Sequence, residues 1–260
     1  MSHPLVNVAT RAVRAASRVL FRQFEKLEDS SLKLVRRHSL ARKIENEVFQ
    51  EITQQIQQLY PSHTISAAED TPEDGPLVEH RWIVDAIDAF GNLQRGLPHF
   101  AMTLAYQHKG VTVVGLVHNP FQDETFCGVH GQGAQLGQKR IRCNEHIKTL
   151  NEAFFAGFPD EQSKQQRIAF SISNLISKNT AGYYYCSASP SLDIAYVAAG
   201  RLDGFWTMRS HISDLSAALL VAKEAGAFAT SLQGHDASGL SPDLLIAHSK
   251  LHKQALKLLA

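Results

Sequence analysis

Apolar residues recur at helical spacing through the first part of the chain. Leu5, Val8, Val13, Val19, Leu20 and Phe24 mark one stripe of a helix predicted over residues 4–28. Ile44, Val48, Ile52 and Ile56 repeat at spacings of four in a second, predicted over 40–59 and stopped by Tyr60-Pro61-Ser62, because proline biases the preceding residue away from helix. The period then shortens. Short strands are expected near 63–66 and 81–84, and two longer ones, HFAMTLAYQ and VTVVGLVHN, are separated only by Lys109-Gly110, which predicts an antiparallel hairpin. DETFCGVHGQGAQLGQKRI reads as a further hairpin with glycines at its turns. The second half alternates differently. FFAGF and AGYYYCS flank a helix over about 160–177, helices over about 190–200 and 214–225 surround the strand DGFWTM, and LLIAHS leads into a final helix. Helices mixed with antiparallel hairpins predict an α+β fold in layers. No linker rich in Pro, Gly or Ser divides the chain, so residues 1–260 are expected to form one domain, with subdomains of about 1–150 and 151–260.

Composition changes this picture little. A 260-residue chain with 44% hydrophobic and 20% charged residues can bury a large core. Its net charge of +1 supplies no global field for nucleic acid or anionic membranes. No apolar run is long enough to span a bilayer, so no membrane association is expected. The three cysteines, Cys127, Cys143 and Cys186, follow no metal-ligand spacing and leave an odd thiol, which points to a reducing, cytoplasmic setting.

The candidate chemistry lies in RWIVDAIDAFGNLQRGLPHFAMTLAY, residues 81–106, where an apolar run ends in Asp85 and Asp88. Taken alone, Asp88 reads equally well as a turn cap and Asp85 as a strand-end carboxylate. The sequence Asp85-Ala86-Ile87-Asp88-Ala89-Phe90-Gly91-Asn92-Leu93, followed by Gly96-Leu97-Pro98-His99-Phe100-Ala101, resembles the first signature of the inositol monophosphatase family. Asp214 and the Ala-rich run ending Glu224-Ala225-Gly226 resemble the second. YPSHTI, GQGAQLGQKRI and LDIAYVAAGRLDGFW are similar to the bacterial SuhB branch, and the likeness runs from about residue 4 to the end.

That resemblance implies an αβαβα layered sandwich, a homodimer and a phosphomonoesterase using Mg²⁺, whose hard oxygen ligands are shared with substrate phosphate. It places Asp85, Asp88, Asp214 and the carbonyl of Ile87 as metal ligands, and Ala89, Phe90, Gly91 and Ser189 at the phosphate and substrate positions. It also exposes losses. The family's metal-binding Glu aligns with Ala68; Glu69 could replace it, as ligand and catalytic acid, only by a one-residue slip. Phe90 stands where a threonine helps activate water, and a phenyl ring cannot orient one. Glu45 aligns with an aspartate of a weaker metal site, Thr207 with a glutamate that binds the sugar, and Ser213 with a tryptophan. Hydrolysis is therefore expected to be impaired, because one lost electrostatic group at an active site costs about 10²–10³ in rate. The SuhB branch implies instead a binding or regulatory role with a protein partner in transcription antitermination or ribosome assembly. An active Mg²⁺-dependent phosphatase of inositol or related sugar phosphates, rebuilt around Glu69, is the alternative. Arg36, Arg37, Arg42 and Lys43 form a basic run suited to RNA or phosphate, or simply a solvated helix face. His118, His130 and His211 read as surface residues or as neighbours of the cleft.

Overall fold

The computed structural model describes residues 3–29, 31–69, 78–158, 166–179, 184–208, 215–237 and 243–259. Helix α1 (Pro4–Glu28) opens with proline in its first turn and with the His3 ring accepting the Leu5 N–H. Its stripe of Val8, Ala12, Val13, Ala16, Leu20 and Phe24 is buried. Helix α2 (Leu34–Gln57) packs along α1 and buries Ala41, Ile44, Val48, Ile52 and Ile56, so the four-residue repeat does mark its inner face. It begins six residues before the predicted start. Its first turns carry the basic run, where no apolar period signals a helix, and Arg37 ties that end down by donating to the carbonyls of Leu27 at 2.7 Å and Asp29 at 2.5 Å.

Beneath these helices lies a seven-stranded sheet in simple sequence order: β1 (Thr64–Ala67), β2 (His80–Asp85), β3 (Met102–His108), β4 (Val111–Asn119), β5 (Glu124–Val129), β6 (Gly133–Leu136) and β7 (Lys139–Ile141). Only β1 and β2 run parallel; the other neighbours are antiparallel. The β3–β4 hairpin turns through Lys109 at φ 50° and Gly110 at φ 81°, the pair of positive values that a two-residue turn matching strand twist requires. A short helix α3 (Phe90–Arg95) follows β2 and closes on Gly96 in the left-handed region.

After a 3₁₀ turn (Leu150–Glu152), a second sheet of five strands has the order β11-β12-β10-β8-β9. These are β8 (Phe155–Phe158), β9 (Tyr184–Tyr185), β10 (Gly204–Thr207), β11 (Phe228–Thr230) and β12 (Leu244–Ala247). Helices α5 (Pro190–Ala198) and α6 (Ser216–Glu224) pack between the sheets, touching β4 and β5 on one side and β10, β11 and β12 on the other. Helices α4 (Gln166–Asn179) and α7 (Ser249–Leu259) contact each other, β8 and β12. The result is the αβαβα sandwich that the resemblance implies, with separate apolar clusters beneath α1/α2, between the sheets, and beneath α7.

The middle layer depends on two glycines. A Cβ on Gly115 of β4 would lie 2.4 Å from the Ala217 carbonyl oxygen, and one on Gly128 of β5 would lie 2.9 Å from the Val221 Cα. Their bare backbones let α6 rest directly on the sheet.

Candidate active site

Strand β2 delivers Asp85 to the sheet's end, and the chain then turns through Ala86–Ala89 into α3. The Asp85 carboxylate accepts the Ile87 N–H at 3.1 Å, while the Ile87 side chain is buried in the first core. Asp88 is buried and held at both oxygens. Oδ1 accepts the Ala101 N–H at 2.6 Å, and Oδ2 accepts the Ser189 hydroxyl at 2.7 Å and the Ser191 N–H at 3.1 Å. Its own N–H donates to the Ala101 carbonyl at 3.0 Å. This wrapping takes Ala101 out of the ladder, so β3 starts at Met102 and not at His99.

The network reaches one residue that the sequence did not single out. Ser187 donates its hydroxyl to Asp193 Oδ1 at 2.8 Å, and Asp193 is fully buried with Oδ2 lacking a hydrogen-bond partner among the described residues. Burial pushes the Asp193 carboxyl well above the usual carboxylate range; the Ser187 hydrogen bond opposes this and the nearby charge of Asp88 adds to it. A folded-state pKa raised above the ordinary 3.8 gives stability that is full below 3.8 and is lost as pH rises toward the folded value. Asp193→Asn removes that loss. Urea unfolding at about pH 5, 6 and 7 is expected to show the variant gaining on the wild type by about 1 kcal/mol per pH unit, up to the folded-state pKa. A pH-independent difference would mean that Asp193 is charged in the fold.

The remaining residues divide between the α6 side of the sheet and the basic face of α2. Ala68 is buried with Ile83, Ala105 and Ala217, and donates its N–H to the Val84 carbonyl at 2.9 Å. Glu69 is exposed and lies within electrostatic reach of Glu45, whose carboxyl is raised by burial, lowered by Arg42 and raised again by Glu69. Arg42 donates to Glu45 at 2.7 Å and places its guanidinium 4.2 Å above the Phe90 ring, which also meets the His38 ring edge-on at 5.4 Å. Phe90 therefore packs against the basic face of α2. Lys43 pairs with Glu47 at 3.8 Å, whereas Arg36 is exposed.

Among the phosphate positions, Ala89 is buried at the start of α3, Gly91 is exposed, and the Ser189 hydroxyl is spent on Asp88. Thr207 is buried in β10. Asp214, Ser213 and His211 lie outside the described residues. His130 is exposed. His118 is a core residue, held between the hydroxyls of Ser17 at 3.1 Å and Thr125 at 2.9 Å.

The Inositol monophosphatase family profile matches residues 1–260, and the chain belongs to that family. It is 30% identical to the Nus factor SuhB of Pasteurella multocida over 254 residues, covering 98% of this chain and 95% of that one. Among solved structures it resembles an IMPase of Thermotoga maritima (TM-score 0.84, 26% identity, 99% and 97% of the two chains). It also shares its fold with the extragenic suppressor protein suhB of Bartonella henselae (TM-score 0.84, 23% identity, 99% of each chain).

The family is generally Mg²⁺-dependent, and the ion's chemistry there is to generate hydroxide and neutralise phosphoryl charge. The described donors do not by themselves make such a site. Ala68 offers no side-chain oxygen, and no carboxylate trio involving Asp85, Asp88 or Glu69 converges among the described residues.

Proposed function

We propose that this protein acts by binding, as a Nus-factor-type component of the cytoplasmic transcription or ribosome-assembly machinery, and that its phosphatase site is impaired. The likeness to SuhB proteins over nearly the whole chain supports the first part. One observation carries the second: Ala68, where the resemblance places a metal-binding Glu, is packed with Ile83, Ala105 and Ala217 and offers no side-chain oxygen. Phe90, packed under Arg42, agrees with it, and Asp88 braces the β2–α3 turn against α5 through Ala101, Ser189 and Ser191. A homodimer, as the family resemblance implies, belongs to this reading. For RNA or phosphate along the basic run, Arg36 is the exposed cation, while Arg37 is held on backbone carbonyls and Lys43 stands in a solvent-exposed pair with Glu47.

A second reading, hydrolysis rebuilt around Glu69 with Mg²⁺ on Asp85, Asp88 and Asp214, draws on the proximity of Glu69 to Glu45. Phosphate release from inositol 1-phosphate with millimolar Mg²⁺ separates the two. Wild-type release is expected to equal that of Asp85→Asn protein, while both retain binding to a reconstituted antitermination complex. Release tenfold or more above Asp85→Asn would establish the rebuilt site; absence of complex binding would remove the Nus-type role.

A further inference from the structure

At the far end of β2 from Asp85, a group of side chains takes no part in the site above. His80 begins β2 and His108 ends β3, and the two are directly opposed across the antiparallel ladder, with ring centroids 5.2 Å apart. Directly opposed residues on one face bring their Cβ atoms within about 4.5–5.5 Å, close enough for two imidazoles to share an ion. Glu79 precedes His80, and its carbonyl accepts the Lys109 N–H at 3.0 Å, which fixes its backbone beside His108. One ligand atom each from Glu79, His80 and His108 falls within 4.8 Å of the others.

We propose that Glu79, His80 and His108 form a binding site for a divalent transition-metal ion of the zinc class, separate from the family's Mg²⁺ site. The donor set argues for the class. Two imidazoles and one carboxylate suit Zn²⁺ and its neighbours, whereas Mg²⁺ prefers oxygen ligands alone. Three protein ligands leave a fourth tetrahedral position for water or a partner's side chain.

The geometry needs a closure of up to about 1.5 Å. Tetrahedral ligands at about 2.0–2.1 Å from one zinc lie about 3.3–3.4 Å apart. Glu79 is exposed and both histidines are partly exposed, so side-chain rotation supplies the difference.

His80 is also held ready. Its Nδ1 meets the Tyr106 hydroxyl at 2.7 Å, leaving Nε2 as the metal-facing nitrogen, with Tyr106 as the outer partner that fixes ring orientation. Tyr60, His63 and His80 stack in sequence, with centroids 4.5 Å and 4.6 Å apart and interplanar angles of 13° and 23°. The Trp82 indole, which can only donate, bonds His63 Nδ1 at 3.1 Å and anchors that stack to the core. Strand rise of about 3.3 Å per residue sets His80 roughly 17 Å from Asp85, so neither site can borrow the other's ligands.

The test is calorimetric titration of Zn²⁺ into EDTA-treated full-length protein in millimolar Mg²⁺, with Co²⁺ absorption reporting tetrahedral coordination. One Zn²⁺ per chain is expected. Its Kd should rise at least tenfold in His108→Gln and, separately, in Glu79→Gln, and be unchanged in His130→Gln. Glu79 is exposed, so Glu79→Gln keeps the test open even if His108→Gln fails to fold. No saturable binding would overturn the proposal, and wild-type affinity in both ligand variants would overturn it by assigning an adventitious ion to other histidines. Loss in His108→Gln alone would remove Glu79 from the site.

Discussion

Gly115→Ala is expected to destabilise the protein by about 2–3 kcal/mol, an effect out of proportion to one methyl group. The added Cβ would fall 2.4 Å from the Ala217 carbonyl oxygen and 3.1 Å from the Ala217 Cα, and these are backbone atoms that no rotamer change can move. Relief requires α6 to lift from β4. That helix is also seated on β5 through Gly128 and on α5, so displacement disturbs the whole middle layer. Gly91→Ala is the control. Nothing among the described residues lies within 4 Å of its added Cβ, its backbone avoids the left-handed region, and it sits in helix α3. It should be neutral or stabilising by up to about 1 kcal/mol. Urea midpoints with unchanged m-values would report both. A loss below about 0.5 kcal/mol in Gly115→Ala would show that α6 is free to shift.

The layers were legible where the period was clear. The stripes of α1 and the later part of α2, the β3–β4 hairpin and the apolar β10 and β12 all stand close to their predicted positions. Segments whose structure is fixed from elsewhere were not legible. The start of α2 carries Arg36-Arg37-His38-Ser39 and is held by the Arg37 guanidinium on carbonyls of the preceding chain. Helix α3 has six residues and no side-chain N-cap. Strand β11 is three residues long, too short to show alternation.

The same division runs through the candidate site. Asp85 and Asp88 stand out because two carboxylates interrupt an apolar strand. The groups that decide what Asp88 does, Ser189 and Ser191, lie 101 and 103 residues away in the sequence, so their approach is a property of the fold alone. Asp193 is similar: one acid within LDIAYVAAG says nothing of its burial until α5 is placed between two sheets. His80 and His108 form a pair only through the register of β2 on β3, and sequence fixes strand identity more readily than register.

His118 is expected to contribute a stability loss of about 3 kcal/mol as pH falls from about 6.5 to 4, opposed over part of that range by the gain from Asp193. The ring is buried beneath α1, with its two nitrogens paired to the hydroxyls of Ser17 and Thr125. Hydroxyls can both donate and accept, so they satisfy a neutral imidazole fully and offer a cation no counter-charge. Burial is the main cause that lowers the His118 pKa from 6.5 to about 4; Asp123 opposes it and Arg14 adds to it. The sign follows from proton counting. Below pH 6.5 the unfolded chain takes up a proton that the folded chain refuses, and stability falls until the folded ring also titrates near pH 4. Ser17 lies on α1 and Thr125 on β5, so His118 ties the helix to the sheet. His118→Gln keeps hydrogen-bonding capacity without a titrating group. It should lower stability at pH 7, through imperfect packing, yet gain about 3 kcal/mol relative to the wild type as pH falls from 6.5 to 4. A variant whose acid transition matches the wild type in slope and midpoint would assign the acid sensitivity to other groups and mean that His118 takes up its proton alike in the folded and unfolded chains.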